Sequence, residues 1–160
     1  MIKKSLEVLP DEDIFPLLAE FHGNVITCIH VKNGNHVMQK SVEVLSNKAK
    51  NAGSQGPIYS DQIEFIIDDV LKNVETLSLL DDQYGNYVIQ HVLQFGRNSD
   101  RDSVLEIVVD NGLLAMSWQK FASNVVEKLL KYGSARQRNA IVREMLKVRL
   151  PSTWHFFIYI

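Results

Sequence analysis

The stretch DQYGNYVIQHVLQ, Asp82 to Gln94, decides the fold, because altered copies of it stand on both sides with polar residues at the same places. NGNHVMQKSVEVL (Asn33 to Leu45) and FASNVVEKLLKYG (Phe121 to Gly133) align without a gap to YGNYVIQHVLQFG (Tyr84 to Gly96). Asn86 and Ser123 lie 37 residues apart, whereas Asn35 and Asn86 lie 51 apart. The surplus falls on SNKAKNAGSQGPIYS, Ser46 to Ser60, which is polar, holds both Gly and Pro, and is expected to form an inserted flexible loop. A shorter echo matches Lys4, Ser5, Glu7, Val8 and Leu9 to Lys40, Ser41, Glu43, Val44 and Leu45, so the chain reads as an array.

Ahead of each copy lies another helical pattern. Ile14, Leu17, Leu18 and Phe21 precede the first, and Ile63, Ile66, Ile67, Val70, Leu71 and Val74 the second, both with the spacing of an amphipathic helix. Val104, Leu105, Ile107, Val108 and Val109 precede the third. Short apolar connectors such as 74–80 and Leu113 to Trp118 join the two patterns, and no segment alternates with period two over a strand's length. Each unit is therefore expected to be helix, short turn, helix, and three such units stacked together bury one continuous core. The repeats fall at about 10–45, 61–96 and 97–133, with a partial fourth at 134–148; the chain starts within what would be an earlier second helix. The tail 149–160, with Pro151 and the apolar run to Ile160, breaks the pattern; it reads either as an improvised cap, with Trp154 and Phe156 packing on the last helix, or as an artefact of truncation that would favour aggregation.

Within each second helix two faces separate. Val37, Met38 and Val42, with Val88, Ile89 and Leu93, and Val125, Val126 and Leu130, share one register and are expected in the core. The other face carries Asn35, His36, Gln39, Lys40 and Glu43; then Asn86, Tyr87, Gln90, His91 and Gln94; then Ser123, Asn124, Glu127, Lys128 and Lys131. Residues four apart lie together on a helix, so Asn35 pairs with Gln39, Asn86 with Gln90 and Ser123 with Glu127. Planar side chains beside such pairs suit a row of nucleobases, stacking on base faces while the pairs meet base edges. A carboxylate accepts two hydrogen bonds and matches the donors of guanine, so Ser123 with Glu127 favours G. An amide both donates and accepts, which suits uracil at the other two sites. A polar helix face equally allows a scaffold for protein partners.

Other classes find little support. The 160 residues are 46% hydrophobic and 22% charged, ordinary globular composition, and a formal charge of −2 provides no global basic field. His22, His30, His36, His91 and His155 show no metalloprotease spacing, and no glycine phosphate loop or nucleophile elbow occurs, so neither an enzyme nor a metal or cofactor site is expected. Cys28 is the single cysteine, expected as a small buried hydrophobe in a reduced compartment, and no apolar run reaches membrane-span length, so a soluble cytoplasmic protein is expected. Gly34 and Gly85, matched by Ala122, are expected to let helices approach closely.

The motifs GNHVMQK, YGNYVIQHVL and FASNVVEK resemble those of the Pumilio, or PUF, family, and the resemblance covers about Lys4 to Leu146. It implies an all-α fold, a right-handed armadillo-like solenoid of three-helix repeats, normally eight, whose inner face binds single-stranded RNA in messenger 3′ untranslated regions. It also implies translational repression or decay through recruited proteins. Carried over by position, Asn35 and Gln39 would read U, Asn86 and Gln90 U, and Ser123 and Glu127 G, with His36, Tyr87 and Asn124 as stacking positions. Lys32, Lys40, Lys120 and Lys128, with His91, are candidate phosphate contacts. The family binds RNA antiparallel to repeat order, which gives a GUU-like element in place of the usual UGU-containing one. The chain departs from the pattern in holding three repeats and in passing from NVETLSL directly to LDDQYGN, as though a repeat were excised between Ser78 and Leu79. A truncated fragment without retained activity is the remaining alternative.

Overall fold

The computed structural model describes residues 2–73 and 75–147. Within them the regular structure is helical, with no strand. A short leading helix, α1 (Ile2–Val8), is followed by three units built alike: α2 (Asp11–Ala19), α3 (Val25–Ile29) and α4 (Lys32–Asn51); α5 (Gly56–Lys72), α6 (Thr76–Leu80) and α7 (Gly85–Phe95); α8 (Asn98–Asp110), α9 (Leu113–Trp118) and α10 (Ala122–Tyr132). Helix α11 (Ala135–Lys147) closes the described part. The connectors expected as turns are short helices, α3, α6 and α9, so each unit has three helices rather than two. A connector of five or six apolar-rich residues satisfies its backbone by one helical turn, which is why Ile29, Leu79, Leu80 and Leu113 can be buried there.

The last helices of the units form one layer, α1 against α4, α4 against α7 and α7 against α10. Between this layer and the longer first helices runs a single core that includes Leu18, Met38, Val42, Ile66, Ile67, Ile89, Leu93, Val104, Val108, Val125 and Ile141. Each such aliphatic side chain contributes roughly 1.5–3 kcal/mol on burial. The expected core register is reproduced except at its end: Leu130 is half-buried, while Leu129, like Val92 at the same place in α7, is fully buried. Leu130 occupies the position of Leu93, which α10 covers; beyond α10 the described chain offers only α11. Cys28, expected buried, is half-buried, with its thiol pKa raised by desolvation.

The expected loop at Ser46 to Ser60 is mostly helix. Helix α4 continues to Asn51, a 3-10 turn spans Gly53–Gln55, and α5 begins at Gly56. Gly96 and Gly133 end α7 and α10, but their counterpart in α4 is Leu45, which is 1% exposed and pulls the helix onward. Pro57 sits in the first turn of α5, where a missing N–H costs nothing. Asp11 then ties the hairpin to α2, accepting from Lys48 Nζ at 2.6 Å and from the Tyr59 hydroxyl. The junction between Ser78 and Leu79 lies inside α6, which runs unbroken across it. The reading of the tail from Arg149, including Trp154 and Phe156, and that of Val74 lie outside the described residues.

Candidate nucleic-acid interface

The candidate interface is a row of three helix N-terminal halves, and small residues set its depth. A Cβ on Gly34 would stand 2.1 Å from the Cys28 carbonyl oxygen, and one on Gly85 would stand 2.8 Å from that of Leu79. These contacts press the starts of α4 and α7 onto the short helices before them, while α10 has Ala122 at the matching place. Asp82 Oδ1 caps α7 by accepting from Tyr84 N at 2.9 Å and Gly85 N at 2.6 Å. Helix α10 has Gln119 at the corresponding place and takes its cap from the neighbouring unit: Asp81 Oδ1 accepts from Phe121 N at 3.2 Å and Ala122 N at 3.3 Å. His30, which aligns with Asp81, reaches the next unit in the same way, 3.4 Å from Glu75 and 3.8 Å from Asp82.

The expected edge pairs are joined in the first two units. Gln39 Nε2 donates to Asn35 Oδ1 at 2.7 Å, and Gln90 Nε2 donates to Asn86 Oδ1 at 2.8 Å. Asn35 and Asn86 were expected on the outward polar face, but they are 1% and 0% exposed. Their amide nitrogens turn back to the helix start, Asn35 to the carbonyls of Val31 and Lys32 and Asn86 to that of Asp82. A short amide next to orphan backbone groups in the first turn finds partners there, as helix termini require. The outward part of each pair is therefore the glutamine. In the third unit Ser123 is half-buried and Glu127 is exposed, its carboxylate 3.8 Å from Lys128 Nζ.

Of the three stacking positions, His36 and Tyr87 are exposed, the tyrosine by 48%, and Asn124 is half-buried. The candidate phosphate contacts differ in availability. Lys40, expected as a phosphate contact, has its Nζ 2.6 Å from Glu7 and 3.1 Å from Glu43, and the Glu7 hydrogen bond holds its pKa above the usual lysine value. His91 places Nδ1 2.9 Å from the Tyr87 carbonyl, and burial pushes its pKa below 6.5, so it is neutral at pH 7. Lys120 lies over the Phe121 ring at 4.9 Å, and Lys32 is exposed. Sequence reasoning missed Glu7 as the partner that neutralises Lys40; the echo that equates Glu7 with Glu43 carried that signal. It also missed Asp81 and His30, since nothing local marks a cap supplied from another unit.

The family model described as "Pumilio-family RNA binding repeat" matches residues 32–52, 82–109 and 116–146, half of the chain. The chain belongs to the Pumilio family. Among curated relatives, Pumilio domain-containing protein C6G9.14 of Schizosaccharomyces pombe is 24% identical over 91% of this chain and 24% of its own length. Pumilio homolog 12 of Arabidopsis thaliana is 26% identical over 85% of this chain and 26% of its own length. The chain thus spans about a quarter of the length of these relatives. Among solved structures, PUF-8 in complex with PBE-RNA superposes with a TM-score of 0.56 at 25% identity, covering 92% of this chain and 50% of that one. The Pumilio repeats here are an all-α helical array. Among the described residues, no helix is long and apolar enough to cross a membrane, and no group of three His, Cys, Asp or Glu side chains could hold a metal.

Proposed function

We propose that this Pumilio-family chain binds single-stranded RNA with sequence selectivity, one base per unit, in the order U, U, G along the chain. The element read is GUU-like from the 5′ end. The observation that carries this reading is the recurrence, in phase on three packed helices, of a pair four residues apart beside a stacking position. In the first two units the pair is a hydrogen-bonded amide pair next to an exposed ring. Membership of the Pumilio family and likeness to PUF-8, a structure in complex with RNA, support it. The biological setting proposed is cytoplasmic, on messenger 3′ untranslated regions, with repressor or decay proteins recruited.

Base stacking contributes about 1–3 kcal/mol per base, so three sites yield a gross ~3–9 kcal/mol before association costs. Affinity for a three-base element then lies at about micromolar to millimolar. The test is the double substitution Ser123→Asn with Glu127→Gln. It should move the preference at the 5′ base from G to U by about tenfold or more, read as the ratio of Kd for GUU-containing and UUU-containing oligonucleotides. An unchanged ratio refutes the base assignment, and no RNA binding by either protein leaves the polar face to a protein partner.

A further inference from the structure

The α4–α5 hairpin builds a cleft that the base-reading face does not use. Helix α4 is 20 residues long, while α7 and α10 are 11 each, so its last turns overhang the end of α7. Beneath the overhang lies a cleft of about 330 Å³, lined from α4 by Ser46, Ala49 and Lys50. Helix α5 supplies Ser60, Ile63 and Ile67, and the end of α7 supplies Phe95, Gly96 and Arg97. On both long helices the lining residues recur at three- and four-residue spacing, so each contributes one face.

Three observations point to an occupant. The walls are largely apolar, with Ile63 and Ile67 buried and Phe95 half-buried. Ser46 is 6% exposed and lines the cleft, and its hydroxyl has no hydrogen-bond partner among the described residues. The buried hydroxyl without a partner among the described residues is that of Ser41, so the Ser46 hydroxyl keeps contact with solvent and can exchange that water for a peptide group of a ligand. The charges at the rim are unequal. Arg97 is held by Glu64 at 2.9 Å and Asp100 at 3.0 Å, whereas Lys50 has no carboxylate partner among the described residues and lies 6.0 Å from the Phe95 ring centre. The cleft is at the small end of ligand-site volumes, enough for one large side chain and the backbone beside it.

We propose that this cleft docks a peptide of a partner protein through one large apolar side chain with an adjacent acidic residue. The apolar side chain fills the cleft against the wall made by Ile63, Ile67 and Phe95, a peptide group meets the Ser46 hydroxyl, and the carboxylate pairs with Lys50. A nucleotide suits the site poorly: the lining holds no amide or carboxylate to meet a base edge and one unpaired cation for its phosphate.

The test is a methyl and amide NMR titration of the whole chain with acetyl-Gly-Glu-Phe-Gly-amide, its Gln-Phe analogue and its Glu-Ala analogue. The Glu-Phe peptide should shift Ile63, Ile67 and Ser46 signals saturably. The Gln-Phe peptide should bind about two- to fivefold more weakly, as an exposed ion pair predicts, and the Glu-Ala peptide should leave the isoleucines unmoved. Lys50→Met should erase the difference between Glu-Phe and Gln-Phe, and Ser46→Leu, filling the cleft, should abolish both, with circular dichroism reporting whether that variant folds. No saturable shift, equal affinity of the Glu and Gln peptides, or the same methyl shifts produced by a GUU oligonucleotide instead of the peptide would each overturn the proposal.

Discussion

At the scale of single residues, Tyr87 and His91 sit one turn apart on α7 and do opposite things. Tyr87 exposes nearly half its surface and makes no hydrogen bond through its hydroxyl among the described residues, so its ring is available at little cost. Tyr87→Ala should weaken RNA binding by about 1–3 kcal/mol while leaving Tm nearly unchanged, measured by anisotropy and thermal unfolding side by side. A comparable loss in both would mean the ring serves folding. His91 is held neutral by burial, and its folded pKa lies below the value of 6.5 expected for an exposed imidazole. The unfolded chain therefore binds the extra proton, so this group's contribution to stability is intact above about pH 6.5 and is lost as pH falls through the depressed folded value. Denaturant midpoints should fall on acidification, and His91→Gln should flatten that fall. RNA affinity should change little between about pH 8 and pH 7, because an imidazole with its pKa lowered by burial is largely neutral over that range.

At the scale of elements, helix starts are held across unit boundaries. Asp81 caps α10, the helix that carries Ser123 and Glu127, although Asp81 belongs to the unit before. Asp81→Ala should cost about 1 kcal/mol of stability, as loss of a cap does. The amides of Phe121 and Ala122 should exchange faster, and selectivity for G should fall while selectivity at the two uracil sites stays. Loss of selectivity at all three sites would refute this local role. Such links were not legible in the sequence, because a cap forty residues away leaves no local pattern. The helices themselves were legible where apolar spacing and polar phase agreed, as in Val88, Ile89 and Leu93 beneath Tyr87. Legibility failed where composition outweighed periodicity. Ser46 to Ser60 is polar and contains Gly and Pro, yet Leu45, Ala49, Tyr59 and Ile63 keep a helical spacing and find a partner in each other's helix. Likewise Asn35 and Asn86 looked like surface residues because polarity alone does not tell solvent from a helix's own unpaired backbone.

At the scale of the whole molecule, two of the five candidate phosphate contacts bring no free charge to the polar face. The net charge is −2, Lys40 is committed to Glu7 and Glu43, and His91 is neutral. Lys32, Lys120 and Lys128 remain, with Lys128 near Glu127. Two or three phosphate contacts predict a slope of log K against log salt of about −1.4 to −2.1 for a single strand. A steeper slope would show that Lys40 leaves its carboxylates on binding, and Glu7→Gln should then strengthen binding. Under the proposed RNA reading, selectivity rests on base edges and faces more than on charge, which fits two units whose glutamines, Gln39 and Gln90, are held by their asparagines.

The hydrogen bonds behind those glutamines have a consequence for polarity. A side-chain amide has two chemically opposite ends, and on an unconstrained residue either can face outward. In Asn86 the nitrogen is fixed against the Asp82 carbonyl, which cannot donate, so the oxygen must turn toward Gln90. That oxygen in turn captures the nitrogen of Gln90 and leaves the glutamine oxygen turned away from the asparagine, a vacant acceptor for an imino proton such as uracil N3–H. Asn35 and Gln39 repeat the sequence from the carbonyls of Val31 and Lys32. The direction of the backbone at the start of each helix is thereby transmitted through two side chains, which leaves each glutamine its oxygen as an acceptor and its second N–H as a donor for a ligand.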